Sequence, residues 1–547
     1  MSPLSSDSLP PNILWIVLDT HRYDRLGCYG YTRGASPNLD AFAAQATVFE
    51  HAVAPAQWTV PAHASMFTGE FPTTHQTTQS GDMLDGYFRT AAEWLRSAGY
   101  QSAGFCNNPL VGVLNNGFKR GFDVFYNYGG AVPSTPAHAL YRPVSLLGQV
   151  WERYTQLLRR ISYPVQNAIA QSHSLLQLSL VPAFVPLWTR FAHFKGDTRR
   201  SIEDTLGYIN KHMAPGGRQA QFVFLNLLQT HLPFTPPEAF IGKFAPLLRD
   251  ERAARDFMAV YNTQALRWLL PMDEPFSDLE FTALSQMYDA EVAYQDHLLG
   301  RLLETLDQPY HRDNTAVIIV ADHGEMLGEH HLVGHSFGVY EELVRVPLIM
   351  RLPGQAGGRR VSQPVSTARL FHTVLDLGRV DEPGVFEQLG LQVAEHSLVG
   401  AARSARLRPG PAVISEAFPP QNVLRMVEKD SEGLLQAYAC RSVQRAAYSP
   451  ALHKLIEIED HPAQLYDLPG DPSELHDLLP DAPAPLLEAR RSLSQELENF
   501  LRHAQLRQPQ NWTRQQVQID DPHVLQRLQQ LGYIDLPIEP PSRGPRR

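Results

Sequence analysis

Residues 12–18 have the sequence NILWIVL, a short and continuous apolar segment that ends at Asp19. Two later segments have the same form, FVFLNLL at 222–228 and AVIIVA at 316–321, and the second leads directly to Asp322. Apolar runs of this length are typical of strands that are buried on both faces of a parallel sheet. Because open α/β sheets bind ligands at the carboxyl ends of their strands, the polar residues that follow predict one site at that edge.

Helical patterns separate these apolar segments. We predict helices over residues 40–49, after a turn at 36–38, over 88–98, where Gly99 ends the pattern, and over 284–306. Alternation of strands and helices is typical of the α/β class. The sequence therefore predicts a large, mostly parallel central sheet flanked by helices.

The chain divides into three parts by its pattern. We predict a main α/β domain over 10–404 with a helical insertion at about 130–200, a smaller α+β subdomain over 405–535, and a proline-rich, disordered tail over 536–547. Within the insertion, residues 161–189 contain no Asp, Glu, Lys or Arg. Prolines interrupt this segment, so it is not a membrane span. It is either a hairpin that packs on the core or a lid or membrane-surface patch that admits an apolar substrate.

Composition excludes several classes of protein. The 547 residues are 43% hydrophobic, enough for a large core, and the formal charge of −10 argues against a nucleic-acid partner. The three cysteines lie far apart and match neither a disulfide framework nor a zinc site. The N-terminal residues have no basic or apolar segment of a secretory signal, which predicts a cytoplasmic protein. The oligomeric state has no signal in the sequence.

Four residues form a candidate metal site: Asp19, Thr59, Asp322 and His323. Hard oxygen ligands with one nitrogen suit one divalent ion, and manganese, magnesium, calcium and zinc all remain open. A metal in contact with the threonine oxygen would lower its pKa and provide a nucleophile.

Thr59 lies in the segment QWTVPAHASMFTG at 57–69, which has the features of a helix start and end. Pro61 suits the first helical position and Gly69 suits the helix end. Free N–H groups at a helix N-terminus favour an anion, so Thr59 is well situated for an oxyanion ester. The alternative is that Thr59 only caps the helix.

Several further segments carry a resemblance to a known family. They are DTHRYD at 19–24, GCYG at 27–30, SPNLD at 36–40, DHGEMLGEH at 322–330, YEE at 340–342, RVPLI at 345–349, LYDL at 465–468 and LGY at 531–533. Together and in this order, they resemble the sulfatase-like branch of the alkaline phosphatase superfamily. The resemblance covers almost the whole chain and implies an ester hydrolase. It implies that Asp19, Asp322 and His323 are metal ligands and that Thr59 is the nucleophile and fourth ligand.

The resemblance also implies roles for five other residues. His231 corresponds to an active-site histidine that protonates the leaving oxygen or binds a non-bridging oxygen, although a turn histidine is the alternative. His335 stands where relatives contact the ester anion, unless it is a surface histidine. His63 replaces an arginine of the family, as a donor or only by packing. Asn107 and Asn108 follow a strand at 101–106 and line the pocket or form a simple turn.

The main departure from the family is Thr59 itself. Sulfatases of this branch have cysteine or serine there, which is oxidised to formylglycine, and threonine cannot be. Thr20 also replaces the second acidic residue of the family's aspartate pair. These changes favour a phosphodiester or phosphomonoester hydrolase, or a phosphotransferase, acting on a small-molecule or lipid-like ester. A sulfuric ester hydrolase without formylglycine and a non-catalytic binding relative are the alternatives. Peripheral contact with a membrane stays open.

Overall fold

A computed structural model of the protein describes residues 9–128, 135–136, 195–408, 413–425, 431–509 and 515–517. The uncharged segment 161–189, the predicted tail 536–547 and most of the predicted insertion lie outside these residues.

Sixteen strands occur in the described residues. In chain order they are β1 (Asn12–Leu18), β2 (Thr47–Val53), β3 (Gln101–Cys106), β4 (Val124–Asn127), β5 (Thr135–Pro136), β6 (Gln221–Leu227), β7 (Thr315–Val320), β8 (Met326–Leu327), β9 (Val333–Gly334), β10 (Arg345–Arg351), β11 (Arg359–Val361), β12 (Val365–Ser366), β13 (Val413–Ala417), β14 (Gln444–Tyr448), β15 (His453–Ile458) and β16 (Gln464–Asp467). Ten of them form the central sheet in the order β11-β2-β10-β7-β1-β6-β3-β4-β5, with β12 beside β2.

Helices cover both faces of this sheet. The α-helices are Pro37–Ala43, Thr59–Thr68, Pro72–His75, Ala91–Ser97, Pro109–Gly112, Thr198–His212, Glu238–Phe244, Pro246–Asp250, Arg252–Thr263, Asp278–Leu306, Pro309–Asn314, Glu341–Val344, Arg369–Leu377, Pro383–Leu389, Val393–His396, Val399–Ser404, Gln421–Arg425, Glu432–Ala437 and Ala484–Arg507. None of the helices in the described ranges is long and apolar enough to span a bilayer.

The three apolar segments of the sequence form the centre of the sheet. β1 lies between β6 and β7 and is parallel to both. Every residue of β1 is buried, with Trp15 in the core on one face and Leu14 in the core on the other. The Trp15 side packs near Phe67 of the helix Thr59–Thr68, and the Leu14 side packs near the long helix Asp278–Leu306. The predicted α/β class and mostly parallel central sheet are confirmed.

Three predicted helices have different boundaries. The predicted helix 40–49 ends at Ala43, because Thr47, Val48 and Phe49 are good strand formers and pair with β10. The helix predicted at 88–98 spans Ala91–Ser97 after a capping box formed by Thr90 and Glu93.

The third difference is an earlier helix start. The long helix begins at Asp278 rather than 284, after a capping box between Ser277 and Glu280.

The C-terminal part has its own antiparallel sheet in the order β13-β14-β15-β16. The helix Ala484–Arg507 contributes Leu493 and Leu497 to a core with Leu455 of that sheet. Lys454 of β15 is buried between Glu341 and Glu474, with nitrogen–oxygen distances of 3.1 and 2.8 Å. This ion triad joins the small sheet to the segment before β10, which belongs to the large sheet.

Candidate active site

The polar residues after β1 and β7 meet at the carboxyl edge of the central sheet. Asp19 directly follows β1, and its backbone N–H donates to the carbonyl oxygen of Leu227 at 2.9 Å. Asp322 follows β7, and its Oδ1 accepts from the backbone N–H of Thr20 at 3.3 Å. Thr20 has a φ of 57°, in the left-handed region that is unfavourable for a β-branched residue. The chain therefore turns sharply after β1, and that turn holds Asp19 and Asp322 close together.

Asp19, Asp322 and His323 form a buried group with the donor set of a cation site. Each offers one ligand atom, and these atoms all lie within 4.8 Å of one another. Oδ1 of Asp19 and Oδ2 of Asp322 are buried and accept no hydrogen bond from any described residue. Burial raises the pKa of Asp19 to about 6, and burial together with the Asp19 charge raises the pKa of Asp322. Two buried carboxylate oxygens without a hydrogen-bond donor fit a divalent cation.

His323 is oriented so that one ring nitrogen faces this group. Its Nδ1 lies 2.8 Å from the carbonyl oxygen of Gly324, which can only accept, so Nδ1 carries the proton. Nε2 then presents a lone pair, 3.2 Å from Oγ1 of Thr59. Burial and the His335 charge lower the pKa of His323, so the ring is neutral, as a metal ligand must be.

Thr59 is the first residue of the helix Thr59–Thr68, and Trp58 is the N-cap. Pro61 is therefore the third helical residue and not the first, as the sequence had suggested. The Thr59 hydroxyl does not cap the helix. It contacts Nε2 of His323 instead, and Nδ2 of Asn108 lies 3.4 Å from its oxygen. The hydroxyl thus lies at a helix N-terminus and beside the cation group at the same time.

Asn108 joins Thr59 to Asp19. Its Oδ1 accepts from the backbone N–H of Leu110 at 2.9 Å, which fixes the amide orientation. Its Nδ2 therefore donates to Oδ2 of Asp19 at 2.6 Å and points to Thr59 Oγ1. Asn226 of β6 supports it from below, because its Oδ1 accepts from the Asn108 backbone N–H at 3.2 Å.

His63 and Asn107 are both buried and both contact backbone carbonyl groups. His63 is fully buried, donates from Nδ1 to the Thr59 carbonyl oxygen at 2.9 Å, and accepts at Nε2 from Asn226 at 3.3 Å. Burial lowers its pKa to about 4, so the ring is neutral. Asn107 donates to the carbonyl oxygen of Lys195 at 3.2 Å, which turns its amide away from Thr59.

Two histidines stand at the mouth of the site with opposite charge preferences. Burial lowers the pKa of His335, but the Glu325 carboxylate, 3.3 Å from Nδ1, more than offsets this and raises it. Burial and the His335 charge lower the pKa of His231 to about 3. The ring is therefore neutral, and its Nδ1 donates to the Leu232 carbonyl oxygen at 2.7 Å. The His335 ring centroid lies 4.6 Å from His323 and 5.1 Å from His231.

A buried ion pair supports the loop that carries His231. Lys195 donates to Glu291 at 2.5 Å and to the carbonyl oxygen of Gln229 at 2.7 Å. Glu291 also accepts from the Gln229 side chain at 2.6 Å and from the Thr235 backbone at 2.5 Å. This network holds both ends of the 229–235 loop.

Sequence reasoning missed two supporting residues of the site. Asn226 is the one polar residue inside the apolar run 222–228, and that interruption was a usable signal. Glu325 was visible in the DHGE segment, but its pairing with His335, ten residues away, depends on the fold of the loop.

Comparison with known proteins agrees with the geometry. The Sulfatase family model matches residues 11–380. The chain belongs to the sulfatase family. Members of this family hydrolyse esters and bind a divalent metal, so the chain is an ester hydrolase with a candidate metal group in Asp19, Asp322 and His323.

Its relatives act on more than one kind of ester. The chain is 23% identical to the uncharacterised sulfatase YidJ of Escherichia coli K12, over 86% of this chain and 83% of that protein. Its fold is similar to that of a phosphonate monoester hydrolase of Agrobacterium radiobacter, with a TM-score of 0.61 and 21% identity over 90% and 96% of the two chains. It is equally similar to a protein solved with its substrate D-glucosamine-2-N,6-O-disulfate, with a TM-score of 0.62 and 19% identity over 92% and 100%.

Proposed function

We propose that this protein is a metal-dependent phosphoester hydrolase whose nucleophile is Thr59, acting on phosphodiesters, phosphomonoesters or related phosphonate monoesters. The observation that carries the proposal is the Thr59 hydroxyl, buried at a helix N-terminus, 3.2 Å from His323 and beside the unsatisfied carboxylates. A threonine cannot become formylglycine. In this chain the covalent intermediate must therefore break down by a route that does not need formylglycine.

The way in which the intermediate breaks down distinguishes sulfate esters from phosphate esters as substrates. The hydrate of formylglycine releases sulfate by elimination, whereas a sulfated threonine has no such route. A phosphorylated threonine can be attacked by water at phosphorus, which regenerates the hydroxyl. The structural neighbours include a phosphonate monoester hydrolase as well as a protein solved with a sulfated substrate, so this fold accommodates both ester classes.

Asp19, Asp322, His323 and Thr59 would hold the divalent ion. An ion there would lower the pKa of the threonine hydroxyl, so that Thr59 could release its proton to solvent and react as an alkoxide. The backbone N–H groups at the start of the Thr59 helix and the Nδ2 group of Asn108 are the donors for the non-bridging oxygens.

Two displacements complete the reaction. In the first, Thr59 Oγ1 bonds to phosphorus, the bond to the alcohol oxygen breaks, and cationic His335 gives that oxygen a proton. In the second, water bonds to phosphorus, the now neutral His335 takes its proton, and Thr59 leaves. Neutral His231, fixed by the Leu232 carbonyl oxygen, accepts a hydrogen bond from the entering water.

The test compares ester classes and Thr59 variants in one assay. Purified protein with manganese, magnesium, calcium or zinc is given 4-nitrophenyl phosphate, bis(4-nitrophenyl) phosphate, 4-nitrophenyl methylphosphonate and 4-nitrophenyl sulfate. We expect turnover of at least one phosphorus ester, loss of that turnover by about 10³-fold or more in Thr59→Val, and partial retention in Thr59→Ser. Valine matches threonine in shape, so a folding defect is not expected. Turnover of the sulfate alone, or undiminished activity in Thr59→Val, would overturn the proposal.

A further inference from the structure

A cleft opens beside His231 and His335, on the side where the leaving oxygen of the proposed reaction receives its proton. Its empty space, counted together with the space open to solvent, is about 700 Å³. Trp58, which immediately precedes Thr59, and Leu232, which immediately follows His231, both line it. His231 and His335 line the cleft themselves, so it adjoins the two histidines of the proposed reaction.

The outer walls of the cleft are apolar and come from distant parts of the chain. Trp268, Leu269 and Val333 form one wall, and Pro420 and Val423 of the C-terminal part contribute another. No single segment of sequence contains this surface, because its members lie before β6, after the 229–235 loop and beyond β13.

Trp268 is held rigidly in its wall. Its indole N–H donates to the Tyr261 carbonyl oxygen at 3.2 Å, and its ring stacks on Tyr261 with centroids 5.4 Å apart. Phe257 and Phe276 pack against its ring from other directions. A preorganised aromatic wall binds a flat apolar group with little loss of side-chain entropy.

The polar groups of the cleft are concentrated near the reacting end. His231, Glu325 and His335 are there, and Glu325 is already paired with His335. Among the described residues that line the cleft, Ser336 and Asn422 are the other polar side chains, and neither is charged. Nothing in this lining would compensate a second anionic group on the substrate.

We propose that the cleft binds the alcohol part of the ester and selects an uncharged aromatic or alicyclic alcohol of one or two rings, with Trp268 and Val423 as the selecting residues. This inference rests on the proposed function only for the direction in which the alcohol leaves. A polar or multiply charged carbohydrate would leave the apolar walls uncovered and its own charges unpaired.

The test uses three leaving groups in two ester classes. Methylphosphonate and sulfate monoesters are prepared from 4-methylumbelliferone, 4-nitrophenol and 3-carboxy-4-nitrophenol, which differ in ring area and charge. In the metal-loaded full-length protein we expect kcat/KM to fall about tenfold from the umbelliferyl ester to the 4-nitrophenyl ester. We expect it to fall about tenfold again to the 3-carboxy-4-nitrophenyl ester. The order is read in whichever ester class is cleaved.

Variants of the cleft separate selection from folding. Trp268→Ala is expected to lower kcat/KM for the umbelliferyl ester by about tenfold or more. Its effect on kcat/KM for the nitrophenyl ester should be smaller. Val423→Lys is expected to lower kcat/KM for the umbelliferyl ester and to raise kcat/KM for the carboxylated ester. Misfolding cannot produce such a gain. The control is Phe281→Ala, a partly exposed aromatic residue outside the cleft, which should leave the order unchanged.

Failure of this inference differs from failure of the proposed function. Equal kcat/KM for the three leaving groups, or an equal loss for all three in Val423→Lys, overturns the inference. Cleavage of sulfates alone overturns the proposed function and leaves the leaving-group order as the test of the cleft.

Binding decides the inference if no ester is cleaved. Calorimetry with Thr59→Val is then expected to show at least tenfold tighter binding of the umbelliferyl methylphosphonate than of methyl methylphosphonate. Equal affinity for these two ligands overturns the inference.

Discussion

Removal of the metal should make the stability of this protein depend on pH through Asp19. Burial raises the folded-state pKa of Asp19 from 3.8 to about 6, so the folded state binds this proton more tightly than the unfolded chain does. The stabilisation is present below about pH 4 and is lost as the pH rises through 6. A shift of about 2 pKa units corresponds to about 3 kcal/mol of folding free energy.

Asp19→Asn isolates this contribution. An asparagine can still accept from Asn108 through its oxygen, and its amide replaces the unsatisfied Oδ1. At pH 8 and without metal, we expect Asp19→Asn to be about 3 kcal/mol more stable than the wild type, and the difference should fall toward zero at pH 4. Chelator-treated proteins are compared by urea denaturation from pH 4 to pH 8.

Added metal should reverse the order of the two proteins. The wild type gains about 4.1 kcal/mol at a metal concentration of about 1,000 Kd, which exceeds the difference of about 3 kcal/mol, and Asp19→Asn gains little. Asp296→Asn is the matched control, because burial also raises the pKa of Asp296 to about 6 but Asn38 and Leu39 already satisfy its oxygens. A free-energy difference between wild type and Asp19→Asn that does not change with pH would refute the reasoning.

Three other perturbations have expected outcomes. Asn108→Ala should lower kcat by about 10²-fold with little change in KM, because one donor to the reacting group is lost; steady-state kinetics measures this, and an unchanged kcat would exclude Asn108 from the reaction. Glu325→Gln removes the charge that raises the pKa of His335, so the alkaline limb of the kcat–pH profile should move to lower pH; a limb that stays in place would argue against His335 as the acid. Lys195→Met leaves Glu291 buried without its cation and should lower the free energy of unfolding by about 3–5 kcal/mol, measured by urea denaturation. The double variant with Glu291→Gln should recover most of this loss. No recovery would mean that packing, not charge, explains the loss.

The sequence predicted the centre of the fold because its signals are local. The apolar run before Asp19 can be satisfied only by burial on both faces, and the structure has β1 in that position. Asp19 and Asp322 then meet because parallel strands end at one edge. The strand at 47–53 was missed, since its pairing with β10 lies about 300 residues away and overrides a helical pattern.

The finer parts of the site depend on contacts that no local pattern records. The neutral state of His231 follows from burial and the His335 charge, and the raised pKa of His335 follows from the Glu325 carboxylate, and these positions are set by loop folding. The cleft combines Trp58, Trp268 and Val423, which are separated by more than a hundred residues each. The site residues that directly follow strands could be predicted from the sequence. The cleft could not, because its lining comes from distant segments of the chain.

The stereochemical outcome at phosphorus tests the role of Thr59 most directly. A substrate that is chiral at phosphorus, such as a methylphosphonothioate monoester with isotopically labelled oxygen, is hydrolysed in labelled water, and the configuration of the product is determined. Two successive in-line displacements, the first by Thr59 and the second by water, give net retention of configuration. Net retention is the result we expect, and net inversion, which a single direct attack by water produces, would contradict a covalent Thr59 intermediate.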